Sequence, residues 1–127
     1  MLIRYPRMWT PLKKLTSRFR RTPVAVTVSA DDEQVVIARS DREEPCFFAW
    51  RDVDEIQTFK RDLLTTDDIR LAFRVSDVWY EISEEDSGFI PLTKRMRAKF
   101  PSIPEDWYFE VMQPPFATNQ RTLWKRG

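Results

Sequence analysis

Residues 51–82, RDVDEIQTFKRDLLTTDDIRLAFRVSDVWYEI, decide the expected fold, because the spacing of their apolar residues changes partway along. In the first half the residues at helical spacing are Val53, Ile56, Phe59 or Lys60, and Leu63. Acids occupy the first turn and bases lie near the end, as the helix dipole favours. In the second half the apolar residues alternate with polar residues, which is the spacing of a strand: Ile69, Leu71 and Phe73. The stretch therefore predicts a helix over 51–64, followed by a hairpin of strands 69–74 and 78–82.

The segments on either side extend this prediction to the whole chain. Upstream, 24–29, 34–39 and 46–50 are rich in β-branched and aromatic residues and are separated by polar turns, which predicts a three-stranded meander. Downstream, apolar residues at helical spacing predict helices over 89–100 and 104–113, and 116–124 is expected to be extended. The predicted fold class is α+β: one antiparallel sheet of about five strands, packed on one side by two or three helices.

The composition excludes several classes of function. The chain has 127 residues, the length of one domain, and only two glycines, too few for a glycine-rich phosphate-binding loop. It has no histidine, which removes the commonest general base and most zinc and iron sites. Its one cysteine, Cys46, cannot form an internal disulfide. We therefore predict that the protein is not an enzyme and has no catalytic residues, no cofactor and no metal site.

Charge is segregated along the chain, although the formal net charge is only +1. Residues 1–23 carry seven basic side chains and no acid, whereas residues 24–86 carry seventeen acids against seven bases. This divides the chain into a basic N-terminal arm, 1–23, and an α+β domain, 24–127. The arm has a possible short helix from Pro11 to Arg20. It could dock on the core, face nucleic acid or an anionic lipid, or belong to a partly disordered tail. No apolar run is long enough to span a membrane, so we expect a cytoplasmic protein.

The acidic residues around the predicted hairpin are the candidate binding site. Paired carboxylates could bind Mg²⁺ or act in hydrolysis, but their spacing matches neither a calcium loop nor a catalytic pair, so a surface for a basic partner or a solvated surface remains. An aromatic side chain beside acids is a plausible anchor for a protein partner. The predicted partner-binding residues are Asp67, Asp68, Trp79, Glu81, Glu84, Glu85 and Asp86.

These residues lie within a long stretch of the chain that resembles known proteins. The residues that carry the resemblance include Trp50-x-x-Val53-x-x-Ile56-x-x-Phe59-Lys60-Arg61-Asp62-Leu63, Trp79-x-Glu81-Ile82-x-Glu84-Glu85 and Phe100-Pro101-x-Ile103-Pro104-x-x-Trp107-Tyr108. Over about residues 47–124 the chain resembles small bacterial proteins similar to the immunity proteins of polymorphic toxin systems. The resemblance implies a protein that neutralises a cognate toxin, one with a basic surface, by stoichiometric occlusion. The alternative is a nucleic-acid-associated regulator that uses the basic arm, although the acidic centre makes nucleic acid an unlikely partner of the domain.

Overall fold

A computed structural model of the chain describes residues 23–62, 66–114 and 118–127. The arm helix predicted over 11–20 lies outside these residues. Neither of the α-helices that the structure describes has the length or the apolar composition needed to cross a membrane.

The first three strands form the predicted meander. Strands β1 (Val26–Ala30), β2 (Gln34–Arg39) and β3 (Cys46–Ala49) form a three-stranded antiparallel sheet in the order β1-β2-β3. Asp31 fixes the first turn, because its Oδ1 accepts hydrogen bonds of 2.8 Å from the backbone N–H groups of both Glu33 and Gln34. The alternating apolar side chains of these strands point inward, and the prediction of the meander is confirmed.

A second sheet contains four strands, all antiparallel, in the order β6-β5-β4-β7. These are β4 (Val53–Asp62), β5 (Asp67–Val75), β6 (Val78–Ser83) and β7 (Arg121–Lys125). The predicted hairpin is confirmed as β5 and β6, and its tight turn places Ser76 at a φ of 55°. The predicted extended terminal segment supplies β7, the edge strand beside β4.

The prediction of a helix over 51–64 is wrong, because Val53–Asp62 is the ten-residue strand β4. A shift of register between Val53 and Glu55 places Val53 and Ile56 on the same buried side, although they are three residues apart. Because of this irregularity, two buried apolar residues of the strand are three positions apart, as they would be on a helix. Further along, the alternation continues through Ile56, Thr58 and Lys60, all buried, but only the first of them is apolar. The two-residue period of a strand is therefore present in the burial of these side chains, but it is absent from their hydrophobicity.

The two predicted helices are confirmed as α1 (Phe89–Lys99) and α2 (Trp107–Met112). The architecture differs from the prediction in its sheets: the strands are divided between a three-stranded and a four-stranded sheet instead of forming one sheet of about five. Both sheets contribute to a single core, in which the ring centroids of Phe48 and Phe73 are 5.3 Å apart. Helix α1 packs against β1, and α2 packs against β4 and β5, so the helices do not share one sheet.

Candidate protein-binding site

The open end of the β5–β6 hairpin brings several of the predicted acidic residues together, as partners in hydrogen bonds and ion pairs. Asp68 is only 2% exposed. Its Oδ1 accepts a 2.6 Å hydrogen bond from the Ser83 hydroxyl, and its Oδ2 lies 2.7 Å from the donating Nε of Arg70. Asp68 therefore joins the two strands instead of facing a partner.

The charges of Asp67 and Glu81 are also balanced within the fold. An Oδ atom of Asp67 lies 3.5 Å from the buried ammonium of Lys60. Glu81 accepts hydrogen bonds from two guanidinium groups, those of Arg61 at 2.8 Å and Arg70 at 3.0 Å. These ion pairs balance part of the negative charge that the sequence shows around the hairpin.

Glu84 and Asp86 shape the loop that follows β6. Glu84 accepts a 2.9 Å hydrogen bond from the backbone N–H of Ile69, and its other carboxylate oxygen accepts one from the Tyr108 hydroxyl. Asp86 accepts a 2.9 Å hydrogen bond from the backbone N–H of Ser83. Burial raises the pKa of Asp86 above its ordinary value. Between them, Glu85 is exposed.

Trp79 lies apart from this acidic loop. It is 36% exposed, and the guanidinium carbon of Arg74 lies 6.0 Å from its ring centroid. Five residue steps of extended chain lead from Trp79 to Glu84, a distance of about 17 Å. The structure therefore places the predicted aromatic anchor and the predicted acidic loop at opposite ends of β6.

Two exposed acids that sequence reasoning left out lie in a loop on the other side of the start of β1 from the Glu85 loop. Glu43 and Glu44 belong to the loop between β2 and β3, which hydrogen bonds tie to the residue preceding β1: Ser40 N–H donates to Ala25 O, and Ala25 N–H donates to Ser40 Oγ, both at 2.9 Å. On the other side of β1, Ser87 N–H donates to Val26 O at 3.0 Å. Residues 40–45 and 84–87, here called the acidic loop pair, thus flank the start of β1.

The three exposed carboxylates of the acidic loop pair, those of Glu43, Glu44 and Glu85, have no ion pair with any base in the described part of the chain. The sequence shows that each loop is acidic, but it does not show that both flank the start of β1. That arrangement depends on the parallel bridge between Thr27 and Ser87, an isolated contact that leaves no periodic pattern.

The contact between Tyr108 and Glu84 leads to a testable prediction about how the stability of the protein depends on pH. Burial first, and then the hydrogen bond to the Glu84 carboxylate, raise the pKa of Tyr108 from 10.0 to about 12. The fold therefore favours the neutral phenol, so this stabilisation is fully present below pH 10.0 and is lost as the pH rises through about 12. At neutral pH, Tyr108→Phe is expected to lower the free energy of unfolding by about 1 kcal/mol through the lost hydrogen bond.

Urea unfolding of the two proteins between pH 8 and 12 checks this prediction. Other groups titrate alike in both proteins, so the stability difference between the wild type and Tyr108→Phe isolates this phenol. We expect that difference to shrink as the pH approaches 12, and a difference that stays constant would contradict the assignment.

Within residues 23–62, 66–114 and 118–127 there is no cluster of three or more acidic or cysteine side chains suited to holding a metal ion. A cavity of about 700 Å³ lies between the sheets, with Phe48, Trp50 and Tyr80 in its wall and both acidic and basic side chains at its margin.

No protein-family model, curated protein or solved structure matches the chain.

Proposed function

We propose that this chain is a non-catalytic protein-binding domain, a bacterial immunity protein that occludes a cognate toxin stoichiometrically in the cytoplasm during competition between bacteria. The observation that supports the proposal is the acidic loop pair, whose exposed carboxylates Glu43, Glu44 and Glu85 have no basic partner among the described residues. A surface of this kind matches a partner with a basic cleft, as in a toxin that acts on nucleic acids or nucleotides. Complementary charge of this type speeds association and excludes wrong partners.

The loop that carries Glu85 is held in shape before any partner arrives. The Ser83 hydroxyl accepts a 3.0 Å hydrogen bond from the Glu85 N–H, and the Ser83 carbonyl accepts one of 3.0 Å from the Asp86 N–H. Because the turn is already ordered, binding costs less conformational entropy there than at a flexible loop. Glu84 and Asp86 contribute to the proposed function by holding this turn.

Charge reversal of the acidic loop pair tests the proposed surface. We expect the triple variant Glu43→Lys, Glu44→Lys, Glu85→Lys to associate about tenfold or more slowly with the partner that the wild type captures from its native lysate, because exposed charges act mainly on the association rate. The wild-type rate is expected to fall with added salt, and the rate of the variant is not. Stopped-flow association at two salt concentrations measures both effects.

The matched control reverses three exposed acids at the opposite end of the molecule. Glu33, Asp52 and Asp77 lie in or beside the turns at that end and likewise lack ion pairs among the described residues. Replacing all three with lysine gives the same change in net charge, so this control should keep the wild-type rate. Equal slowing in both triple variants would mean that only net charge matters, and no slowing in either would reject the surface.

A further inference from the structure

The three-stranded sheet has one face in the core and one face that points away from it. Val28, Val35 and Phe48 are buried in the core, so the residues next to them along each strand point the other way. Phe47 is the largest side chain on this outward face, and it is 63% exposed. The outward positions of the three strands are Thr27, Ser29, Gln34, Val36, Ala38, Phe47 and Ala49.

None of these outward positions carries a charge. An antiparallel sheet with one face in water normally alternates apolar inward residues with polar outward ones. The four-stranded sheet follows this rule in β5, where Arg70 lies between the buried Ile69 and Leu71. In the three-stranded sheet, β2 instead places Val36 outward, and Phe47 is its outward neighbour on β3. An uncharged sheet face of this kind is typical of one that packs against another element.

The basic arm has a pattern that complements this face. Leu12, Leu15 and Phe19, here called the apolar stripe, fall on one side of the helix predicted over 11–20, and basic residues surround them. Isolated helices this short are marginal in water, so the helix depends on packing of the apolar stripe. Ten residues of helix are about 15 Å long, which is close to the length of a strand of five or six residues.

The point at which the chain enters β1 places the arm beside the same face. Residues 21–25 join the predicted helix to β1, and connections of two to six residues are usual between a helix and the next strand. The acidic loop pair flanks this end of β1, and Arg20 is at most about 18 Å from Ala25 along the chain. Charge complementarity and the covalent connection therefore favour the arm over a separate molecule, because a short tether gives a local concentration in the millimolar range.

We propose that the arm folds back on its own domain as a helix over 11–20, with the apolar stripe packed on Phe47 and its outward neighbours. The basic side of the helix faces water, and Arg20 and Arg21 lie toward the acidic loop pair. The three-stranded sheet then has the core on one face and a helix on the other. The inference concerns the chain by itself and does not rest on the proposed function.

Trypsin cleavage of the full-length chain within 13–18, identified by mass spectrometry, measures how often the arm leaves the sheet. Cleavage follows the population of the undocked arm when undocking and redocking are fast. We expect Phe47→Thr and Leu15→Gln each to speed this cleavage about tenfold or more, because each removes apolar area that docking buries. The double variant should be cut little faster than either single variant, since both substitutions remove the same contact.

Two matched substitutions serve as controls. Phe109 is 70% exposed on α2, and Phe109→Thr makes the same chemical change as Phe47→Thr at a distant site. Ser17 lies on the side of the predicted helix away from the apolar stripe, so Ser17→Gln tests the arm without touching the packed side. Both controls should keep the wild-type cleavage rate, and circular dichroism checks that all the variants fold.

Nuclear Overhauser effects supply a second measurement that needs no variant. In the labelled full-length chain, the Phe47 ring should show them to methyl groups of Leu12 or Leu15, with an intensity per molecule that does not change with concentration. Cleavage of the wild-type arm as fast as that of a synthetic peptide of residues 8–25 would overturn the inference. So would acceleration by Leu15→Gln but not by Phe47→Thr, which would place the arm elsewhere, or protection that rises with protein concentration, which would assign the arm to a second copy.

Discussion

Replacement of Gly88 by alanine is expected to lower the free energy of unfolding by about 3 kcal/mol or more, the range of strongly disruptive substitutions. Gly88 has a φ of +94°, a left-handed backbone conformation that side chains with a Cβ rarely adopt. A Cβ at this position would lie 1.9 Å from the carbonyl oxygen of Val28, which is backbone and cannot rotate away. Either the start of α1 or strand β1 must move.

Movement there would break the connection between the two sheets. Val28 N–H donates to Ser87 O at 2.7 Å, and Gly88 O accepts the 3.1 Å hydrogen bond from Leu92 N–H in the first turn of α1. The chain provides a matched control in its only other glycine, because a Cβ on Gly127 would meet nothing within 4 Å. Chemical denaturation should give Gly127→Ala the stability of the wild type. A Gly88→Ala variant within about 0.5 kcal/mol of the wild type, the effect of an ordinary surface change, would contradict the described contact.

Replacement of Lys60 by methionine is expected to cost about 3 kcal/mol or more, because it leaves buried polar partners unsatisfied. Lys60 is 2% exposed, and its ammonium donates hydrogen bonds to Met112 O at 2.8 Å and Pro114 O at 2.5 Å. It also lies 3.5 Å from the Asp67 carboxylate. This one side chain therefore links β4, the start of β5 and the end of α2.

The control for Lys60 is an exposed lysine. Lys99, at the end of α1, is exposed, so Lys99→Met should change the free energy of unfolding by no more than about 0.5 kcal/mol. Methionine has a similar length to lysine, so the comparison tests the charge and its hydrogen bonds more than the packing. A Lys60→Met variant as stable as the wild type would contradict the prediction, because it would show that the hydrogen bonds and ion pair of the buried ammonium do not contribute to the free energy of unfolding.

The sequence predicted the strands and helices that follow a regular period, and it failed at β4. Where alternation or helical spacing was regular, as in β5 or α1, the local pattern was sufficient. In β4 the shift of register near Val53 imitated a helix, and Lys60 occupied an inward position that a hydrophobic pattern assigns to solvent. Only the packing of the whole fold, which supplies carbonyl partners for that ammonium, reveals the strand. Because residues 53–62 were predicted as a helix, the four-stranded sheet in which β4 lies between β5 and β7 was not predicted either.

The candidate site could be predicted from the sequence only in part, and for a different reason. The acidity of residues around the hairpin was visible in the sequence, but the role of each acid was not. Glu81 on β6 is balanced by Arg70 on β5 and by Arg61 on β4, and Asp68 is balanced by Arg70 of its own strand. Glu43 joined the acidic surface only because β1 lies between two loops that are distant in sequence. The placement of the predicted partner-binding residues therefore depends on cross-strand register, which a single sequence does not reveal.

The central claim, that this chain binds a protein partner, is tested most directly by affinity capture from the native lysate at moderate salt. Wild type and the Glu43, Glu44, Glu85→Lys variant are compared by mass spectrometry, by stoichiometry and by the ratio of absorbance at 260 and 280 nm. The account predicts one dominant protein with a basic surface, at one molecule per chain, captured by the wild type and in a smaller amount by the variant, with little nucleic acid. An eluate rich in nucleic acid without a dominant protein would contradict it, and would assign binding to the basic residues of 1–23.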